Sequence, residues 1–351
     1  MADKLRCLMV GAGGMAGGYV RNFFPLFADR MEVVGLVDVK PEPLALSGDL
    51  LNLDANCRFA DMTEAFARVE ANFCCIVIPP AFHRQAVLLA AERRMDILSE
   101  KPIADTWEDC VAIYQAVRAS GVQMQVVQNY RYNATMLSVK QVLAEQRLGR
   151  CNYIMGRFAA DYRVRGAWGM FRHEIPHSLL IEGSVHHFDM LRNLSGADCA
   201  QIAGWDWNPE WSSFDGESSG HFLGRMSNGV VVNYEGNCNE AATQNSWHQE
   251  LYRAECEGGA VTVDRDHVVR TWEKLPSGLR MEEVPLLRPQ YEGHAAIIDQ
   301  FLTWQEGGAA PVTVLEDNIY SAAMLFGAIR ASEGNCVVDV GAMVRELNDE
   351  R

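Results

Sequence analysis

Residues 173–177 read His-Glu-Ile-Pro-His. That order holds zinc and a general-base glutamate when both histidines lie one helical turn apart and face one metal. Pro176 argues against that chemistry here. Inside a helix, proline lacks an N–H and clashes with the carbonyl four residues back, whereas the first helical position accepts it. The spacing therefore predicts a helix that begins near Pro176 and leaves His173 and Glu174 in the preceding loop, and no zinc protease. On that helix, drawn over 176–194, Glu182, His186 and Asp189 fall at i, i+4 and i+7 and share one face. All three residue types are legitimate zinc ligands. His187 points about 100° away from that face and reads as a packing or interface residue.

A second constellation lies at 11–18, Gly-Ala-Gly-Gly-Met-Ala-Gly-Gly, directly after a strand-like run and at the start of a helical one. Gly11, Gly13 and Ala16 fit Gly-x-Gly-x-x-Gly/Ala: a tight turn, a close backbone approach to pyrophosphate, and a helix that touches its strand. The helix N-terminus adds free N–H groups and a positive dipole end for the phosphates. Asp38 ends the next strand, where a carboxylate accepts from both ribose hydroxyls and repels a 2′-phosphate, which favours NAD over NADP. Lys40 pulls the other way, offering a cation to such a phosphate from the same loop. Two further strands end in Ile-Pro-Pro-Ala-Phe-His (78–83) and Glu-Lys-Pro-Ile-Ala-Asp (100–105). Ligands bind at such strand ends in open α/β sheets. Lys101, between Glu100 and Pro102, is placed to point at a substrate hydroxyl, or is an ordinary surface lysine.

These residues need elements to position them. Residues 1–127 alternate strand-like runs (LRCLMVG, MEVVGLVD, CRFA, NFCCIVI, MDILS, VQMQVV) with amphipathic stretches such as 82–93 and 106–119. That rhythm predicts an α/β, doubly wound parallel sheet. After about residue 128 it changes: a helix near 133–147, the helix of 176–194, and long strands over 150–163, 199–208, 218–236, 247–264 and 267–273. This is an α+β domain with a large, mostly antiparallel open sheet, closed by helices near 291–306 and 315–332. The expected division is 1–127 and 128–351, with the last of these helices near the joint.

At 351 residues the chain exceeds what one core serves well, so two domains are the default. Its net charge of −15 argues against nucleic-acid and anionic-membrane partners. The ten cysteines include no Cys-x-x-Cys, and Cys74 and Cys75 read as small hydrophobes of a buried strand in a reducing, cytoplasmic setting. No apolar run reaches the roughly twenty residues that span a membrane. The glycine cluster also breaks the apolar core that a signal peptide would need.

GAGGMA with Asp38, IPPAFH, EKPIAD, GSVHHFDMLRNLSG (183–196) and EDNIYSAAMLFGAIRASEGNCVVDV (316–340) occur in order. Together they resemble the Gfo/Idh/MocA oxidoreductases, the family of glucose–fructose oxidoreductase and inositol dehydrogenase, over nearly the whole chain. The resemblance implies a Rossmann domain that binds NAD, less readily NADP, and a second domain that binds substrate and pairs subunits into a homodimer or homotetramer. It implies cofactor contacts from Gly11, Gly13, Gly14, Met15, Ala16 and Asp38. Pro79, His83, Glu100, Lys101 and Asn129 follow at the later strand ends. Lys101 becomes a catalytic residue and His186 the general acid/base, while Asp189 supports the helix, or the histidine, from behind. Glu182, where many members carry aspartate, becomes a catalytic residue or substrate ligand.

The same resemblance makes 161–183 part of the substrate pocket wall, with Tyr162, Arg163, Arg165, Trp168, Arg172, His173 and His177. Arg131 follows the sixth strand beside Asn129 and Tyr130, and Trp247 and His248 complete the pocket. Aromatic faces suit a sugar ring, and the arginines suit a carboxylate, phosphate or sulfonate, unless they pair with acids of this chain. No metal is expected. The implied activity is hydride transfer between a ring hydroxyl of a sugar, glycoside or cyclitol and nicotinamide. The rivals are NAD-assisted glycoside hydrolysis by transient oxidation and elimination, and a non-catalytic sugar or nucleotide sensor.

Overall fold

The computed structural model describes residues 4–242 and 246–349. The chain forms two compact units, Met1–Asn129 with Gln290–Ile319, and Tyr130–Pro289 with Tyr320–Arg351. The division expected between 127 and 128 lacks the return of 290–319 to the first unit. Helix Gly293–Gln305 buries Ile297, Ile298, Phe301 and Leu302, and the Phe301 ring meets Phe73 at 5.0 Å. Arg30 forks to Asp299 at 2.6 Å and Glu306 at 2.8 Å. Periodicity announces an amphipathic helix but is silent on which surface it covers.

In the first unit, β1 (Leu5–Val10), β2 (Met31–Val37), β3 (Arg58–Phe59), β4 (Phe73–Ile76), β5 (Asp96–Glu100) and β6 (Met124–Val127) pair in the order β3-β2-β1-β4-β5-β6. Every pairing is parallel. The strands are short apolar runs buried on both faces, with Cys74, Cys75 and Ile76 of β4 at most 1% exposed. The strand order reverses between β1 and β4, the place where such sheets take ligands. Local signals hold the helices: the Thr106 side chain caps Trp107–Ser120, and Gly121 ends it at φ +73°.

The second unit carries β7 (Cys151–Ala159), β8 (Cys199–Trp207), β9 (Ser219–Met226), β10 (Val231–Asn237), β11 (Leu251–Cys256), β12 (Gly259–Val263), β13 (Arg270–Leu275), β14 (Gly278–Glu283) and β15 (Val338–Asp339). Their order is β14-β13-β12-β11-β7-β10-β9-β8-β15. Among the described residues of this sheet, only β10 and β7 run parallel. The single strand expected over 218–236 is a hairpin that turns at Asn228-Gly229, with Gly229 at φ +90°; 247–264 likewise contains the hairpin of β11 and β12. β14 is exposed throughout, and its two alternating apolar residues, Leu279 and Met281, are too short a run to signal a strand. Helix Val185–Ser195 packs on one face, where Phe188 meets Tyr234 at 4.9 Å and Phe222 at 5.9 Å. On β8 and β9, Trp205 is 61% exposed and Leu223 is 55% exposed.

Candidate active site

The glycine loop is built for close approach. Gly11 has φ +107°, and a Cβ there would lie 2.1 Å from the Val77 carbonyl oxygen. Only glycine fits. Gly13 is extended and Gly14 has φ +50° with open space around it. Ala16 is fully buried, whereas Met15 is half-exposed. Asp38 does more than the sequence suggested: Oδ2 accepts the Ala12 and Gly13 N–H groups at 2.8 and 3.3 Å, and Oδ1 accepts that of Lys40 at 2.8 Å. The carboxylate thus ties the loop to the end of β2 and keeps one lone pair, on Oδ1, for a ribose. The Asn129 amide oxygen is buried without a hydrogen-bond partner. An open glycine turn, an acid at the next strand end and a spare buried acceptor fit a dinucleotide.

Around Lys101, two residues expected at the cofactor, His83 and Glu100, also make contacts within the chain. His83 is completely buried. Its Nε2 lies 2.9 Å from the Ile78 carbonyl oxygen, and its Nδ1 lies 3.0 Å from that of Pro102 and 3.3 Å from that of Ile103. Burial holds the imidazole below its ordinary pKa range, against the pull of those carbonyls. His83 therefore sits between the loop after β4 and the loop after β5, and as a neutral imidazole donates to the carbonyls of one of them. Glu100 is also buried; its Oε1 accepts from Tyr19 Oη at 2.8 Å and lies 3.3 Å from His294 Nε2, while Oε2 accepts the Lys101 N–H at 3.3 Å. Burial raises its pKa, but the His294 hydrogen bond and the charges of His294 and Lys101 outweigh it, so the group stays a carboxylate. Both residues fix the backbone that presents Lys101. Neither Tyr19 nor His294 was legible, being distant in sequence from the motif they support.

In the second unit the helix expected from Pro176 is a π-helical segment, Leu179–Ser184, that continues as α-helix over Val185–Ser195. Such π segments gather at functional sites and carry no sequence signature. His186 is nearly buried, stacked on Tyr130 at 4.5 Å and 16° and edge-on to Trp247 at 6.0 Å. Trp247 meets Trp168 at 5.5 Å, and Trp168 lies parallel to Tyr162 at 5.2 Å. Burial pushes the Tyr162 phenol up to about 12, so it remains a neutral donor. Glu182 is 3% exposed and accepts from Arg172 Nε at 2.8 Å. The tertiary structure thus gathers Tyr130, Tyr162, Trp168, Glu182, His186 and Trp247 from four separate stretches of the unit.

Other expected pocket residues are engaged elsewhere. His173 and Glu174 lie in a short helix, Met170–Glu174, not a loop; Ile175, in extended conformation before Pro176, ends it. His173 is fully buried, stacked on Phe214 at 4.0 Å. His177, at φ +47°, places Nδ1 2.7 Å from Asp206 Oδ2 and 3.5 Å from Glu217, and Nε2 3.3 Å from Glu333. The two histidines of the His-Glu-x-x-His order therefore face different partners, and no zincin geometry forms. His177, Asp206 and Glu217 are close enough to share an ion, but a 2.7 Å nitrogen–oxygen contact is a hydrogen bond with a proton between. Despite burial, the carboxylates raise His177 to about 8.

Arg131 and Asp189 are both buried and joined by two hydrogen bonds of 2.7 and 2.6 Å, with Ser321 Oγ donating to the same carboxylate at 2.6 Å. Arg131 is a buried ion-pair partner of Asp189. Arg163 binds Asp161 at 2.7 Å, and Arg165 binds Asp215 at 2.8 Å through both amino groups. His187 packs as expected, with Nδ1 2.8 Å from Tyr234 Oη and Nε2 3.5 Å from Glu250. Glu250 also accepts from Tyr130 Oη at 3.0 Å. It is a buried acid behind the His186 cluster that no motif signalled.

Residues 5–128 match the model described as oxidoreductase family, NAD-binding Rossmann fold, and residues 136–262 match the GFO/IDH/MocA C-terminal domain. The chain belongs to the GFO/IDH/MocA family of oxidoreductases. It is 38% identical over 335 residues to the uncharacterized protein y4oX of Sinorhizobium fredii, covering 93% of each chain. It is also 25% identical over 204 residues to an inositol 2-dehydrogenase of Arthrobacter sp., 58% of this chain and 57% of that one. Among solved structures, an Agrobacterium radiobacter oxidoreductase in complex with NAD+, L-tartaric acid and magnesium superposes with a TM-score of 0.84 at 19% identity, covering 97% of this chain and 100% of that one. The fold and the Rossmann cofactor domain are those of the family.

Proposed function

We propose that this protein is an NAD-dependent dehydrogenase that oxidises a ring hydroxyl of a neutral sugar, glycoside or cyclitol. The observation that carries the substrate class is the aromatic cluster around His186, Tyr130, Trp168, Tyr162 and Trp247, next to arginines already paired within the chain. Aromatic faces suit the C–H faces of a sugar or cyclitol. An anionic substrate would need a guanidinium without a carboxylate of its own. The Asp38 carboxylate favours NAD over NADP.

When bound, NAD supplies the hydride acceptor. In this reading His186 is the group that takes the hydroxyl proton, and Lys101, as an ammonium, is the group that stabilises developing negative charge. Glu182, fixed by Arg172, is a ligand for a neighbouring hydroxyl. Glu100 and His83 act by holding the backbone on either side of Lys101.

A panel of neutral sugars, inositols, uronates and sulfo-sugars, scored by NADH absorbance, tests this reading. Neutral polyols should reduce NAD. A response confined to uronates or sulfo-sugars overturns the neutral assignment. Glycoside cleavage without net NADH would instead establish transient oxidation followed by elimination.

A further inference from the structure

Cys151 opens β7, Cys256 closes β11, and these antiparallel strands place the two cysteines directly opposite each other. The register slips beside them: Glu255 faces Tyr153 while Cys256 faces Cys151, which leaves Asn152 as an inserted residue. Such a bulge unpairs the ladder locally and frees its neighbours from flat strand geometry. Opposed residues of an antiparallel pair have Cα atoms roughly 4.5–5.5 Å apart, inside the roughly 4.4–6.8 Å that a disulfide spans. Both thiols are free and partly accessible, whereas Cys7, Cys74, Cys75, Cys110, Cys199 and Cys238 are buried.

The two thiols are also differentiated. A hydrogen bond from Cys256 is the main cause that holds the Cys151 thiol below its ordinary range, against burial and the nearby Glu255 charge. The same bond, with burial and the charges of Glu255 and Glu257, pushes Cys256 up. The contact between the two sulfurs puts each within reach of the other once one is oxidised. Arg150, the adjacent cation, is already held by Glu257 at 2.6 Å.

We propose that Cys151 and Cys256 form a modification site for two-electron thiol oxidants such as hydrogen peroxide, which convert the pair from a dithiol to a cross-strand disulfide. The Cys151 thiolate attacks one peroxide oxygen, the O–O bond breaks, and the departing hydroxide takes a proton and leaves as water. Cys151 is then a sulfenic acid. The Cys256 sulfur attacks it, the S–S bond forms, the sulfenic oxygen leaves as hydroxide, and the Cys256 proton makes a second water. Two thiols lose two electrons and one peroxide becomes two waters. The bond closes a loop of about a hundred residues, which restricts the unfolded chain and locks β7 to β11.

The test exposes reduced, full-length protein to hydrogen peroxide and maps it by mass spectrometry without reductant. Expected are a linked Cys151–Cys256 peptide pair, a fall in free thiols from ten to eight, reversal by dithiothreitol, and a higher thermal midpoint while oxidised. In Cys256→Ser, dimedone should capture a sulfenic acid at Cys151, and neither single variant should form the linked pair. Consumption of the exposed Cys336 while Cys151 and Cys256 remain thiols overturns the proposal. So does oxidation that consumes both thiols without forming the Cys151–Cys256 link.

Discussion

At the scale of residues, the proposed roles divide between groups that do chemistry and groups that hold them. His186→Ala should lower turnover about a hundred- to ten-thousandfold, the usual worth of a positioned base. Lys101→Ala should cost about a hundredfold or more, as the loss of one preorganised donor does. Both variants should still bind NAD, which calorimetry can verify, and Glu174→Gln should turn over nearly normally with or without a chelator. Chelator-sensitive activity that survives Lys101→Ala would sink the dehydrogenase assignment. Arg131 belongs to the second kind. Its removal leaves the buried Asp189 charge without its guanidinium, so Arg131→Ala should destabilise the fold by about 3–5 kcal/mol in denaturant unfolding. A raised KM at unchanged stability would return Arg131 to the pocket.

His177 gives stability a pH dependence of known sign. Its folded pKa, raised from an ordinary 6.5 to about 8, means that the native state binds the proton more tightly than the unfolded chain. The stabilisation is fully present below about pH 6.5 and lost as pH rises through about 8; for a side chain 16% exposed it is at most about 2 kcal/mol. The thermal midpoint should therefore fall from pH 6.5 to 8.5, and His177→Gln should flatten that slope. A slope unchanged in the variant would assign it to other groups.

At the scale of elements, the end of β2 and the glycine loop act as one device, because Asp38 accepts backbone N–H groups from both sides of it. Asp38→Ala should relax the preference for NAD over NADP and also weaken binding of both, since the loop loses its anchor. Asp38→Asn keeps the acceptor oxygen but not the charge. It should restore the loop without restoring the discrimination, as ratios of kcat/KM for the two cofactors would reveal. Native-type discrimination in Asp38→Ala would mean that Lys40 sets the preference.

At the scale of the whole molecule, β8 and β9 expose Trp205, Trp207 and Leu223, at 61%, 48% and 55%. Alternate residues on these strands share a face, so the paired strands carry a row of large apolar side chains. Such a face on an open sheet usually meets a partner. We propose that a second copy of this chain covers it, giving a dimer or tetramer. Light scattering at micromolar concentration should report at least twice the chain mass, and Trp205→Lys with Leu223→Lys should shift it toward the monomer. A wild-type monomer at that concentration would rule this out.

Fold class and cofactor cradle were legible in the sequence because their determinants are local. A glycine that needs positive φ, an acid at a strand end, apolar runs of strand length and a proline that forbids a helix all act within a few residues. The pattern 11–18 with Asp38 therefore predicted the loop that Gly11 and Asp38 build. The partners of charged and aromatic side chains are long-range, and only the tertiary structure decided them. Arg131 found Asp189, His177 found Asp206, and Glu100 found Tyr19 and His294 across gaps that no periodicity reports. The π-helical segment at 179–184 and the opposition of Cys151 and Cys256 have the same origin. Each depends on how elements pack and register against one another, which spacing along the chain does not encode.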